Sequence, residues 1–190
     1  IRLDSNLIYD AFIDNNLIDG VGAGYLGQKD GISIGAVTVD PNCTAVISNN
    51  TIKNVTNTGV VVNKRHVSGI TAFGPRVRVI GNTIKNVYGD ATNTDQYGIY
   101  TKTSYSVITN NTLVDAGGNQ ACIMTKGSPN DLNDILTNSV AENATDDVNI
   151  VSHNILALDT RQNSTMKYTG IVTFNSGMNI SSNTIRGFNE

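Results

Sequence analysis

The chain has 190 residues, 39% of them hydrophobic, and thirteen basic against sixteen acidic side chains for a net charge of -3. That much apolar material suffices for the core of one domain, and no run of eighteen apolar residues offers a transmembrane span. No Lys/Arg cluster is long enough to track a phosphate backbone, so nucleic acid is not expected as a partner.

Asn and Thr are abundant, Gly numbers 18, Trp is absent and Glu occurs only at Glu142 and Glu190. Such residues favour turns and strands over helix interiors, which points to an all-β chain with many turns. The chain starts at Ile1 with no basic-then-apolar leader, so its start reads as processed or excised. Cys43 and Cys122 are far apart in sequence, and both are expected to be free thiols.

Read in chain order, one template recurs: FIDNNLIDG, VISNNTIKNV, VIGNTIKNV, VITNNTLVDA, IVSHNILAL and ISSNTIRGF. Each is anchored on an asparagine, namely Asn16, Asn50, Asn82, Asn111, Asn154 and Asn183. A repeat at this spacing is the mark of a solenoid, with loops of variable length between coils. Three residues before the anchors stand Ile13, Ile47, Val79, Ile108, Val151 and Ile180. Two residues after them stand Ile18, Ile52, Ile84, Leu113, Leu156 and Ile185. Both sets should point inward as stacked aliphatic ladders.

The residue before each anchor is Asn15, Asn49, Gly81, Asn110, His153 or Ser182, types that tolerate a left-handed backbone. His153 therefore reads as a turn residue before it reads as a base. The anchors themselves should stack and bond the turn backbone.

A second phrase opens the coils at Gly31-Ile32, Gly59-Val60, Gly98-Ile99, Cys122-Ile123 and Gly170-Ile171. Every coil thus has at least two strands, and no helix-length pattern intervenes to make a βαβ unit. The expected fold is an all-β, right-handed parallel β-helix of about six coils, one domain over 1–190. Longer loops are expected at Lys64 to Pro75 and Asp90 to Asp95. Residues 126–147 form either an inserted loop or a degenerate coil. The string GAGYLG at 22–27 matches a dinucleotide-binding phrase, but no helix follows it, so it reads as a loop.

With its Gly-Ile openers and the x-N-T-I-x-N/G-V phrases at Asn50 to Val55 and Asn82 to Val87, the repeat resembles the pectate-lyase-like superfamily of right-handed parallel β-helices. In particular it resembles the coils of bacteriophage tailspikes and polysaccharide depolymerases. The resemblance implies recognition and cleavage of a bacterial surface or extracellular polysaccharide by a lyase or a glycoside hydrolase. It implies no cofactor, an extracellular or virion-surface location, and a homotrimer or part of a larger chain. The alternative is a non-catalytic adhesive or structural segment. Neither a calcium-type acidic cluster nor an epimerase motif is present, and no metal or membrane insertion is expected.

Alternation along the strand after Gly98 puts Ile99 and Thr101 inward and Tyr100 and Lys102 outward. Lys126 should lie above Lys102, with Asn63 in the matching place on the coil before. Stacked lysines repel by roughly 1 kcal/mol even in water, which an anionic ligand would relieve. The lysines could equally splay into solvent.

Asn63-Lys64-Arg65-His66 should leave the preceding coil, while Asp90, Asp95 and Tyr97 should sit in the turn before Tyr100. A uronate lyase needs a cation and a base, which Lys64, Arg65 and His66 with Tyr100 or Lys102 would supply. A hydrolase needs two carboxyl groups, for which Asp90 and Asp95 are the best local pair and Asp30 a further candidate. The candidate catalytic residues are therefore Asp95, Asp90, His66 and Lys102. Candidate substrate-binding residues are Tyr100, Tyr97, Lys64, Arg65, Lys126 and Tyr105, the tyrosines being expected to lie exposed for sugar stacking.

Overall fold

The computed structural model describes residues 1–5, 10–22, 28–36, 44–57, 65–74, 76–89, 94–103, 105–117, 121–126, 148–158, 169–174 and 178–188. Among them there is no helix, and therefore none long and apolar enough to cross a membrane. Eighteen strands follow in six sets of three. They are β1 (Arg2–Ser5), β2 (Ala11–Asp14) and β3 (Leu17–Gly22); β4 (Lys29–Ala36), β5 (Thr44–Ser48) and β6 (Thr51–Asn57); β7 (Arg65–Phe73), β8 (Arg76–Ile80) and β9 (Thr83–Gly89). The later sets are β10 (Thr94–Lys102), β11 (Tyr105–Thr109) and β12 (Thr112–Ala116); β13 (Ala121–Lys126), β14 (Val148–Ser152) and β15 (Ile155–Ala157); β16 (Ile171–Phe174), β17 (Met178–Ser181) and β18 (Thr184–Arg186).

Every third strand pairs in parallel with its counterpart one coil away, giving three six-stranded sheets. The first runs β1-β4-β7-β10-β13-β16, the second joins β2 through β17, and the third joins β3 through β18. This is a parallel β-solenoid of six coils, the architecture the repeat called for.

The ladders form as the template requires. Ile47, Val79, Ile108 and Val151 are fully buried in one row, and Ile52, Ile84, Leu113 and Leu156 in the other. Each such side chain contributes about 1.5–3 kcal/mol through burial. In the sixth coil Ile180 and Ile185 keep the same register at the end of the stack and are about half exposed.

Between these rows the asparagines stand over one another. Asn50, Asn82, Asn111 and Asn154 are all essentially buried. The residue before each anchor has left-handed φ at all six turns, from Asn15 at 56° to His153 at 55° and Ser182 at 54°. His153 is thus held by the backbone requirement of a turn. A second left-handed column, unforeseen from the sequence, lies four residues after the anchors at Gly20, Asn54, Asn86, Asp115 and Gly187.

Two expectations need correction. The third coil opens at Gly69-Ile70, because Ile32, Ile70, Ile99, Ile123 and Ile171 are successive register partners; Gly59-Val60 lies outside the described residues. Accordingly most of the segment read as a loop from Lys64 to Pro75 is the nine-residue strand β7. At each opener the glycine and the following isoleucine both turn toward the lumen. A Cβ on Gly98 would collide with Leu113 Cδ2 and lie 2.7 Å from the carbonyl oxygen of Cys122.

No rung intervenes between β11 and β14. β14 pairs directly with β11, and the Asn111 backbone N–H donates to Asn154 Oδ1 at 3.0 Å. Residues 127–147, including Leu136, Asn138 and Val140, lie outside the described residues.

Candidate functional site

The first sheet positions most of the sequence-predicted residues, and its two faces differ. Ile32, Ile70, Ile99 and Ile123 fill the lumen, while Phe73, Tyr97, Tyr100, Ala121 and Met124 make a separate apolar cluster on the outer face. The bend at Gly98 puts both Tyr97 and Tyr100 outside, three residues apart. Their rings stack with centroids 4.8 Å apart and planes at 20°, and Phe73 meets Tyr100 edge-on at 5.5 Å and 85°. Both geometries are favoured by the ring quadrupoles.

One and two rungs below this cluster the same face becomes polar. Asp30 Oδ1 accepts from Ser68 Oγ at 2.5 Å and from Thr71 Oγ1 at 3.1 Å, and the two hydroxyls lie 2.6 Å apart. Gln28 Nε2 donates to Asp30 Oδ2 at 2.7 Å. Ser68 and Thr71 are fully buried, so these bonds keep their hydroxyls satisfied. The register makes this a continuous face, with Asp30 partnering Ser68, Ser68 partnering Tyr97, and Thr71 partnering Tyr100.

Lys102 and Lys126 are register partners on adjacent rungs, as the stacking argument required. The residue under Lys102 is Phe73 and not Asn63, which lies outside the described residues. Lys102 is only 5% exposed and Tyr97 and Tyr100 only 6% and 2%, so neither splaying into water nor an open tyrosine platform is what the chain builds here. Asp95 and Tyr97 belong to β10 and not to the preceding turn. Asp95 is the register partner of His66, and Thr94 that of Arg65. Asp90 and Lys64 fall outside the described residues.

Tyr105 is not brought to this face. It begins β11 in the second sheet, opposite Arg76. What sequence reasoning missed on the first sheet is Ser68, Thr71, Phe73 and Met124. The signal that would have found the first three is the phrase Gly69-Ile70, which repeats Gly98-Ile99 one coil earlier.

Electrostatics narrows the roles. Burial holds the Tyr97 phenol well above its ordinary pKa, and the nearby Asp95 carboxylate and Tyr100 push it the same way. Tyr97 is therefore a neutral hydrogen-bonding group at physiological pH and not a phenolate base.

Compared with protein families, curated proteins and solved structures, the chain matches none. Its class is set by the coordinates alone: a parallel β-helix protein.

Proposed function

We propose that the rod recognises and cleaves a bacterial surface or extracellular polysaccharide, acting as a lyase or a glycoside hydrolase of the tailspike type. The observation supporting this is the grouping of chemistry on four neighbouring rungs of one sheet: Asp95 opposite His66, Lys102 opposite Lys126, and Tyr97 and Tyr100 beside the Asp30–Ser68–Thr71 cluster. In this reading Asp95 and His66 exchange the proton while the lysines balance substrate charge. An extracellular or virion-surface location, and assembly as a homotrimer or within a longer chain, belong to the same proposal.

The burial of Tyr97, Tyr100 and Lys102 favours a second reading, in which this cluster is a packed layer and the rod an adhesive or spacing element. The two separate when the protein is incubated with a panel of capsular and exopolysaccharides and product length is followed by size exclusion. Shortened chains that disappear with Asp95→Asn or His66→Ala, at unchanged thermal unfolding, support cleavage. Ultraviolet absorbance from an unsaturated uronate assigns the lyase. Binding across the panel with no shortening leaves the adhesive reading.

A further inference from the structure

The outer face of the second sheet, on the side of the coil that carries Tyr105, holds a charge arrangement that the fold does not need. In β8 the sequence RVRVI alternates strictly: Val77 and Val79 are fully buried while Arg76 and Arg78 point out and are exposed. Arg76 lies in register between Thr44 below and Tyr105 above, and Arg78 between Val46 and Val107. All four flanking residues are half-buried, so the two guanidinium groups stand over a flat, neutral floor with one aromatic ring beside them.

Neither arginine makes a hydrogen bond or ion pair among the described residues. Among the described residues, the acids Asp10 and Asp14 of the same face are two rungs away in the first coil and already engaged. Asp10 Oδ1 accepts the Thr44 N–H at 3.0 Å, and Asp14 Oδ1 accepts Ser48 Oγ at 2.5 Å and Asn49 Nδ2 at 3.0 Å. In a chain of net charge -3, two adjacent exposed cations with no acid bonded to them among the described residues are an electrostatic feature aimed outward.

We infer that the Arg76–Arg78–Tyr105 face is a binding site for a carboxylate-bearing, linear polysaccharide, separate from the first-sheet face. The planar guanidinium fork matches a carboxylate in bidentate fashion and stays charged at every relevant pH. Along an extended strand the two arginines stand about 6.6–6.8 Å apart, and rungs repeat every 4.7–4.9 Å, a lattice suited to a polymer that repeats its charge. Tyr105 supplies an apolar ring and a hydroxyl for a sugar ring. A peptide adding as a strand is disfavoured because β8 is paired on both sides by β5 and β11, leaving no free backbone edge. A nucleic acid is disfavoured by the small number of cations and by Asp10 and Asp14 on the same face.

The inference takes the polymer class from the proposed function and adds its charge and a second site. The test is affinity electrophoresis of the full chain in gels containing polygalacturonate or, as the neutral control, dextran. Wild type should be retarded by polygalacturonate alone, less so as salt rises. R76A/R78A should bind at least tenfold more weakly with unchanged thermal unfolding, Arg76→Lys with Arg78→Lys should bind in between, and Lys85→Ala, which removes an exposed cation from the third sheet, should bind like wild type.

Retardation of R76A/R78A equal to that of wild type overturns this site while leaving the polysaccharide reading intact. Wild type that is neither retarded by polygalacturonate nor active on any glycan of the panel overturns both. A glycan-free shift of R76A/R78A from oligomer to monomer in sedimentation velocity assigns the face to a second copy of the chain, and likewise overturns the site.

Discussion

Asn82 stands directly over Asn50, and its Oδ1 takes two bonds at once, from the Asn50 backbone N–H at 2.9 Å and from Asn50 Nδ2 at 3.0 Å. Asn50 Nδ2 also reaches the Ile13 carbonyl at 2.9 Å, so each amide joins three coils. The same pattern recurs from Asn82 to Asn111, from Asn111 to Asn154 and from Asn154 to Asn183. A column of identical amides, all oriented one way, satisfies the turn backbone of every coil with a single residue type.

Asn111→Ala should therefore be among the most damaging substitutions. It strands the buried backbone N–H of Asn82 and the carbonyl of Val79, which Asn111 Nδ2 now bonds at 2.9 Å. At about 1–3 kcal/mol for each stranded buried group, the loss should reach about 3 kcal/mol or more in urea unfolding. Asn183→Ala, at a half-buried position where water can substitute, should cost clearly less. Equal losses at the two sites would contradict the burial argument.

Within the lumen, Thr101 carries a fully buried Oγ1 that has no hydrogen-bond partner among the described residues. Thr101→Val keeps the shape and removes the unsatisfied group, so it should leave stability unchanged or raise it by up to about 1 kcal/mol. Thr71→Val is the control: its hydroxyl bonds Asp30 and Ser68, and removing it should destabilise. A thermal melt of the two variants side by side shows whether the signs differ.

Gly98→Ala forces a methyl group against Leu113 and the Cys122 carbonyl, an atom that the sheet ladder holds in place. The expected cost is about 1–3 kcal/mol. At Gly74 an added Cβ meets nothing within 4 Å, and Gly74→Ala should be neutral or slightly stabilising. Similar denaturation midpoints for both variants would show that the close approach at the coil opener is not what selects glycine.

Alkaline pH should unfold the protein through its buried acids. Burial, and to a lesser degree the charge of Asp115, pushes the Cys122 thiol from 9.0 up to about 12. A raised folded-state pKa contributes stability that is complete below the unfolded value and is lost as pH rises through the folded one. Stability should hold to about pH 9 and fall between there and about pH 12, with buried Tyr97 acting in the same direction. Cys122→Ser should flatten that decline, and native Cys122 should resist alkylation at pH 8 until denaturant is added. Rapid labelling of the native thiol would refute its burial.

Much of the fold was legible because a solenoid writes its structure locally. Asn, Ile and left-handed turn residues recur at fixed offsets, and translation by one coil converts sequence period directly into contact. The six anchors, both aliphatic rows and the Lys102–Lys126 partnership could be read that way. The error at Gly59-Val60 arose where two Gly-plus-β-branched phrases compete within twelve residues, and only pairing with Gly98-Ile99 selects Gly69-Ile70.

The sequence by itself thus determined the inward pattern of the coil, because apolar side chains at period two must leave water wherever the strand runs. The tertiary structure decided what the outward side chains meet. Tyr100 and Lys102 alternate outward as expected yet are covered, as is Tyr97, whereas Arg76 and Arg78, alternating by the same rule, stand open. Exposure on an outer face depends on what packs against it from distant parts of the chain, and no local period encodes that.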